Sequence, residues 1–180
     1  SLIKIVGHCS NRVAIACFAS NVARMQSCIT AAQANGRHVG LVGRSLWRMN
    51  EVARSCGYLT NCPEFLNVDE IEFLPRDKIL MLVTGSQGEA QAALSRIASG
   101  DHRDLTFEKG DTVIFSSKEI PGNERAIGRV QNQLAKLGVE IITELDDFVH
   151  VSGHPAREEL KLFYDWVKPP TLIPIHGESR

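Results

Sequence analysis

The chain has 180 residues, 43% hydrophobic and 23% charged, with a formal net charge of −1. This is the balance of one globular domain, or one domain with an appendage, and not of a disordered chain. No apolar run approaches the roughly 18 residues of a membrane-spanning helix, the first residues lack a secretory leader pattern, and a near-neutral total excludes a uniformly basic polyanion binder.

The predicted elements alternate from the start. Residues 13–18 (VAIACF) read as a buried strand, and 21–34 as a helix with Ser20 as its cap and Gly36 just past its end. Residues 38–42 (HVGLV) form a second strand, followed by a helix over 45–56 and a loop over 57–66. Asn67 with Glu70 is a capping-box variant for a short helix over 68–74. A third strand at 79–83 (ILMLV) leads to a helix near 89–99, and a polar stretch over 99–111 precedes a fourth strand at 112–115. A helix over 123–137, ended by Gly138, leads to a fifth strand at 139–142. Strand and helix repeated in this way predict an α/β fold, a parallel, doubly wound, Rossmann-like sheet with helices on both faces. After the acidic junction at Glu144, Asp146 and Asp147 the pattern changes to strand, helix, strand: 148–151, 155–167 and 172–175.

Charge and thiols narrow the partner. Residues 1–54 hold seven basic residues, six of them Arg, against the single acid Glu51, so this stretch carries +6 and the remainder −7. Arg pairs bidentately with phosphate, so the asymmetry points to an anionic partner on one side, with a solvated basic face as the plainer alternative. Cys9, Cys17, Cys28, Cys56 and Cys62 are odd in number and lack a CxxC pair, as expected of reduced thiols in a cytoplasmic protein. Ser1 stands in place of an initiator Met, which fits either a trimmed terminus or an excised piece of a longer chain.

In open parallel sheets ligands bind at the carboxyl ends of strands. Here those ends carry Ser20, then Gly43-Arg44-Ser45, then Thr84 to Glu89 with Ser86, then Ser116-Ser117-Lys118, then Ser152-Gly153-His154. Hydroxyls and helix starts along one edge suit an extended anion, although ordinary capping would also place hydroxyls there. A nucleotide-cofactor fold is disfavoured, because GxGxxG, a Walker A sequence and an acid at the end of the second strand are all absent. His8 and His38 lie near strand starts and His102 in a polar loop, whereas His150, His154 and His176 gather near the end. His150 and Ser152 would share a strand face. No HxHxDH or HExxH occurs, so a complete metal site is not encoded.

Several runs carry a specific resemblance. They are TGSQGE at 84–89 with ALSRIA at 93–98, GDH at 100–102, VIFSSKEIPGNE at 113–124, HVSGH at 150–154 and PIHGE at 174–178. Over nearly its whole length the chain resembles ribonuclease J of the β-CASP branch of the metallo-β-lactamase superfamily. The resemblance implies a β-CASP domain over 1–145 and a return segment of the metallo-β-lactamase domain over 146–180. It implies that His154 is a general acid or phosphate contact and that His176 is a zinc ligand of a two-zinc centre in the full-length parent. It also implies that Ser116, Ser117, His150 and Ser152 line a nucleotide-phosphate pocket. Arg44 and Ser86 are added as RNA contacts on the strand-end reading. The parent would be a cytoplasmic, homo-oligomeric 5′-to-3′ exoribonuclease and endoribonuclease acting on single-stranded, 5′-monophosphorylated RNA, away from any membrane. This chain, lacking the HxHxDH motif, would bind no zinc and would not cleave. A standalone RNA-binding module and a small-molecule α/β protein are the competing readings.

Overall fold

A computed structural model describes residues 2–151 and 155–173. The order is α1 (Leu2–His8), β1 (Val13–Ala16), α2 (Val22–Ala34), β2 (His38–Val42), α3 (Arg44–Ser55), α4 (Val68–Phe73), a 3-10 turn at Arg76–Lys78, β3 (Ile79–Val83), α5 (Ala93–Ser99), β4 (Thr112–Phe115), α6 (Glu124–Lys136), β5 (Glu140–Ile142) and α7 (Arg157–Val167). The five strands form one all-parallel sheet in the order β2-β3-β1-β4-β5.

Because side chains alternate across a strand, each central strand feeds two cores. Val13 and Ile15 of β1 point into a cluster with Ile5 and Val6 of α1 and Met25, Cys28 and Ile29 of α2. Ala14 and Ala16 point the other way, toward Leu94 and Ile97 of α5 and Ile127, Val130 and Leu134 of α6. Continuous burial of β1, β3 and β4 is what a sheet covered on both faces demands. Each fully buried Leu, Ile or Val adds roughly 1.5–3 kcal/mol.

The helices start where the sequence supplies acceptors. Asn21, not Ser20, caps α2 by accepting from the Arg24 N–H at 2.9 Å. The box at Asn67 and Glu70 is complete, with contacts of 3.0 and 2.8 Å. One helix was not anticipated, and two expected strands are not found over their described residues. Residues 2–8 form a helix, because Leu2, Ile5 and Val6 lie on one face and pack beside α2. Residues 148–151 are irregular and not a strand, since the segment crosses the sheet's edge and gives its Val149 carbonyl to the Ser116 hydroxyl. At the other end Leu172 and Ile173 are not in a strand either, and residues 174–175 lie outside the described residues.

The Arg-rich first third is only partly a surface feature. Arg12 is 2% exposed and faces Glu72 at 3.5 Å; Arg37 is buried and donates to the carbonyls of Cys9, Asn11 and Ile79. Arg54 holds the Asn50 side chain and the Pro63 carbonyl and lies over the Phe65 ring. Arg24 is half-buried, and Arg44 and Arg48 are exposed. The cysteines are all free thiols; burial pushes Cys17 up to about 11 and raises Cys28 well above the usual thiol range, which suits inert core residues.

Candidate nucleic-acid interface

The strand order creates one switch point. From β1 the chain leaves through α2 on one face toward β2, and from β4 it leaves through α6 on the other face toward β5. The carboxyl ends of β1 and β4 therefore open a crevice between diverging connections, the position where doubly wound sheets bind ligands.

Ser116 and Ser117 sit on this lip. Pairing of β4 with β1 runs one residue past the strand through the Ser116 N–H to Ala16 carbonyl bond at 2.9 Å, which fixes Ser116. Its hydroxyl donates to the Val149 carbonyl at 2.6 Å, and this pins the 148–151 segment across the lip. Ser117 accepts from Gln87 Nε2 at 3.2 Å. Both serines are buried.

His150 follows Val149 and is half-buried. Burial lowers its pKa; Arg24 and Lys118 lower it further, opposed by Glu144 and the Ser116 backbone. Its Nδ1 is buried without a hydrogen-bond partner among the described residues. Arg24 and His150 line one cavity of about 370 Å³, and Lys118 follows the two serines in the chain, so an arriving phosphate would meet two cations and would favour protonation of His150.

Gln87 is the residue that reading by motif missed. It is 5% exposed, and its side chain holds the following loop from both ends. Nε2 donates to Ser117 Oγ and, at 2.9 Å, to the Lys118 carbonyl. Oε1 accepts from the Ile120 N–H at 2.9 Å and from Asn123 Nδ2 at 3.2 Å. Next to it, Gly88 has φ +75°, and a Cβ there would collide with the backbone of Ala126 and Ile127 in α6. The TGSQGE run is therefore a turn that seats α6 and positions Ser117. Its only sequence signal was the run itself.

Arg44 is placed apart from the crevice, whereas Ser86 shares a cavity with Ser117 of the lip. Arg44 opens α3 after Gly43, whose φ of +130° brings the turn against Thr84. It lines a cavity of about 700 Å³ with Trp47, Glu89, Arg96 and His102. Since β2 and β4 are three strand spacings apart, roughly 14 Å, only an extended polyanion can touch Arg44 and the Ser116 lip together. Ser86 lines a cavity of about 360 Å³ with Ser117, Glu119 and Glu144, a setting whose two acids disfavour a phosphate. Ser152, His154 and His176 lie outside the described residues. Among the described residues no cluster of three or more His, Cys, Asp or Glu could hold a metal.

Two family descriptions match the sequence: "Ribonuclease J, beta-CASP domain" over residues 10–134 and "Zn-dependent metallo-hydrolase RNA specificity domain" over residues 138–180. The chain belongs to the ribonuclease J β-CASP family. It is 49% identical to ribonuclease J of Sinorhizobium meliloti over 99% of this chain and 32% of that protein. Identity is 43% to ribonuclease J of Mycolicibacterium smegmatis and 40% to that of Thermus thermophilus, over 100% and 99% of this chain and 32% and 31% of those proteins. The chain thus spans about a third of the length of these ribonuclease J relatives. For a ribonuclease J β-CASP domain, the parallel sheet and its open carboxyl edge are the fold the sequence predicted. No helix among the described residues is long and apolar enough to cross a membrane.

Proposed function

We propose that this chain is the RNA-gripping portion of a cytoplasmic, homo-oligomeric ribonuclease J-type enzyme. In this reading the parent removes nucleotides 5′-to-3′ from single-stranded, 5′-monophosphorylated RNA and also cuts internally. The observation that carries the reading is the β1/β4 crevice, where Ser116 holds the segment that carries His150, Arg24 lines a cavity with His150 and Lys118 follows Ser117, in a chain of the ribonuclease J family. Hydroxyl donors and cations without a base-reading helix suit a degradative enzyme, which must hold phosphates and accept many sequences.

Residues 1–145 are the β-CASP domain in this account, and 146–180 is the return segment of the metallo-β-lactamase domain. Ser116, Ser117, His150 and Ser152 hold the 5′-phosphate, and Arg44 holds the RNA farther along the edge. His154 gives a proton to the leaving oxygen, a role open to an imidazole with an ordinary pKa of about 6.5. The described residues do not fit a zinc centre by themselves, and His176 is the one ligand assigned to this chain. Two zinc ions bound in the parent would supply an activated water and clamp the reacting oxygens. The chain alone is expected to bind RNA and not to cleave it, because its sequence has no HxHxDH.

The test uses the full-length parent and its cleavage rate. His154→Ala and His176→Ala are each expected to abolish turnover with RNA binding retained, whereas Arg44→Ala weakens RNA binding by about tenfold, the scale of one charge-assisted contact. Undiminished turnover in His176→Ala would remove the zinc-ligand assignment.

A further inference from the structure

The runs ALSRIA at 93–98 and GDH at 100–102 build one corner of the molecule. Gly100 ends α5 with φ +80°, and the chain folds back so that the Asp101 and His102 N–H groups donate to the Arg96 carbonyl at 2.8 and 3.0 Å. The Arg96 guanidinium donates to the Asp101 carbonyl at 3.1 Å, which leaves most of its N–H groups open. The His102 ring accepts the Asp104 and Leu105 N–H groups at Nδ1, at 3.3 and 3.2 Å. Its proton therefore sits on Nε2, which among the described residues neither bonds within the protein nor is sealed from solvent. Burial and the charge of Arg96 lower the pKa of this ring, opposed by Asp104, so it is a neutral donor near neutral pH.

Arg96 and His102 line the cavity of about 700 Å³ together with Arg44, Trp47, Val68 and Glu89. Two guanidinium groups repel a metal cation and attract an anion. The acid in this set, Glu89, already accepts the Gln87 N–H at 3.0 Å. The cavity is larger than a phosphate needs, and Trp47 and Val68 give it an apolar wall. The Trp47 indole N–H is taken by the Leu41 carbonyl at 3.1 Å, so the ring brings no free donor with which to read a base. A nucleotide has both parts that such a cavity suits, a phosphate for the cations and a flat base for the wall. Contact with an aromatic ring accepts any base.

We infer that this cavity is a second nucleotide subsite, in which Arg44, Arg96 and the His102 N–H hold a backbone phosphate of the RNA and the wall at Trp47 receives a base of any identity. The inference rests on the reading above that Arg44 holds RNA along the sheet's edge, and it adds Arg96, His102 and Trp47 as contacts. The subsite lies roughly 14 Å from the Ser116 lip, so only an RNA long enough to cover that span occupies both. A 5′-phosphorylated dinucleotide, whose two phosphates are a single nucleotide apart, falls short.

The experiment measures binding of this chain to oligo-U and oligo-A, as dinucleotides and as decanucleotides with a 5′-phosphate or a 5′-hydroxyl, by competition against a labelled decanucleotide in fluorescence anisotropy. Arg96→Gln is expected to weaken 5′-phosphorylated decanucleotides by about tenfold, the scale of one charge-assisted contact, equally for U and A, and to leave dinucleotides unchanged. A Trp166→Phe chain keeps Trp47 as its one tryptophan; decanucleotides should quench its emission and dinucleotides should not. Arg96 and Trp166 are both exposed, so these variants should fold, which matched thermal unfolding curves verify; Arg44→Gln replaces Arg96→Gln should the latter unfold. Equal weakening of both lengths overturns the subsite, because Arg96 then acts through the lip or the whole fold. Undiminished decanucleotide binding, or an unquenched Trp47 at saturation, overturns the subsite while a surviving 5′-phosphate preference keeps the lip reading. Weakening confined to one base also overturns it, since the cavity then reads sequence. Absence of a 5′-phosphate preference with the length-dependent loss intact removes the lip reading and supports the subsite, and absence of binding to any RNA removes both.

Discussion

Gln87 satisfies both ends of its amide inside the protein, and each partner belongs to the loop that carries the lip. Gln87→Ala leaves the Lys118 carbonyl and the Ile120 N–H without their side-chain partner in a part-buried setting. The expected cost is about 2 kcal/mol, a Tm loss of roughly 4–8 °C for a chain of this size. RNA affinity should fall with it, since Ser117 loses its anchor. A Gln87→Ala variant with unchanged Tm would show that the loop is held by other contacts. His150 gives a second prediction at this scale. Its pKa is lowered in the folded protein by burial and by Arg24, so the unfolded chain binds the proton more readily. Its stabilising contribution is complete above the ordinary value of 6.5 and is lost as pH falls from there through the lowered folded value. Replacing it with Gln should therefore flatten stability against pH just below 6.5 in chemical denaturation, and an identical profile would contradict the assignment.

At the scale of elements, α7 stands out because none of its residues is buried. Leu160, Phe163, Tyr164 and Trp166 are all solvent-exposed on an amphipathic helix. Phe163→Ser in this chain should shift stability by no more than about 0.5 kcal/mol while reducing self-association, as light scattering would show. A loss of several kcal/mol would mean that the helix packs where the structure leaves it open. Strands β2, β3 and β4 were legible to the residue, because β3 is an unbroken apolar run and β2 and β4 are short β-branched or apolar-rich runs, each bounded by turn or polar residues. Helix α1 was also written in the sequence, in the i, i+3, i+4 spacing of Leu2, Ile5 and Val6, but seven residues form a helix only with tertiary support from α2. The run at 148–151 alternates like a strand and is not one, because its partner is a serine hydroxyl and not a ladder.

For the whole molecule, the carboxyl edge of the sheet could be read in advance as a rim of hydroxyls. Its division into a cationic crevice, an acidic cavity and the Arg44 cavity could not. That division depends on which charges tertiary structure consumes, and Arg12, Arg37 and Arg54 are spent on carbonyls, an acid and a ring. What remains for a ligand is a short row of cations, so RNA affinity should fall with salt by a slope of only about 0.7 per phosphate contacted on a single strand. The most direct measurement of the central claim is an NMR titration of the His150 imidazole in this chain, with and without a short 5′-monophosphorylated RNA. A phosphate held between Ser116 and His150 favours the imidazolium, so the pKa of His150 should rise from its lowered value on binding and should not rise with the 5′-hydroxyl RNA. An unchanged His150 pKa at saturating phosphorylated RNA would contradict the account.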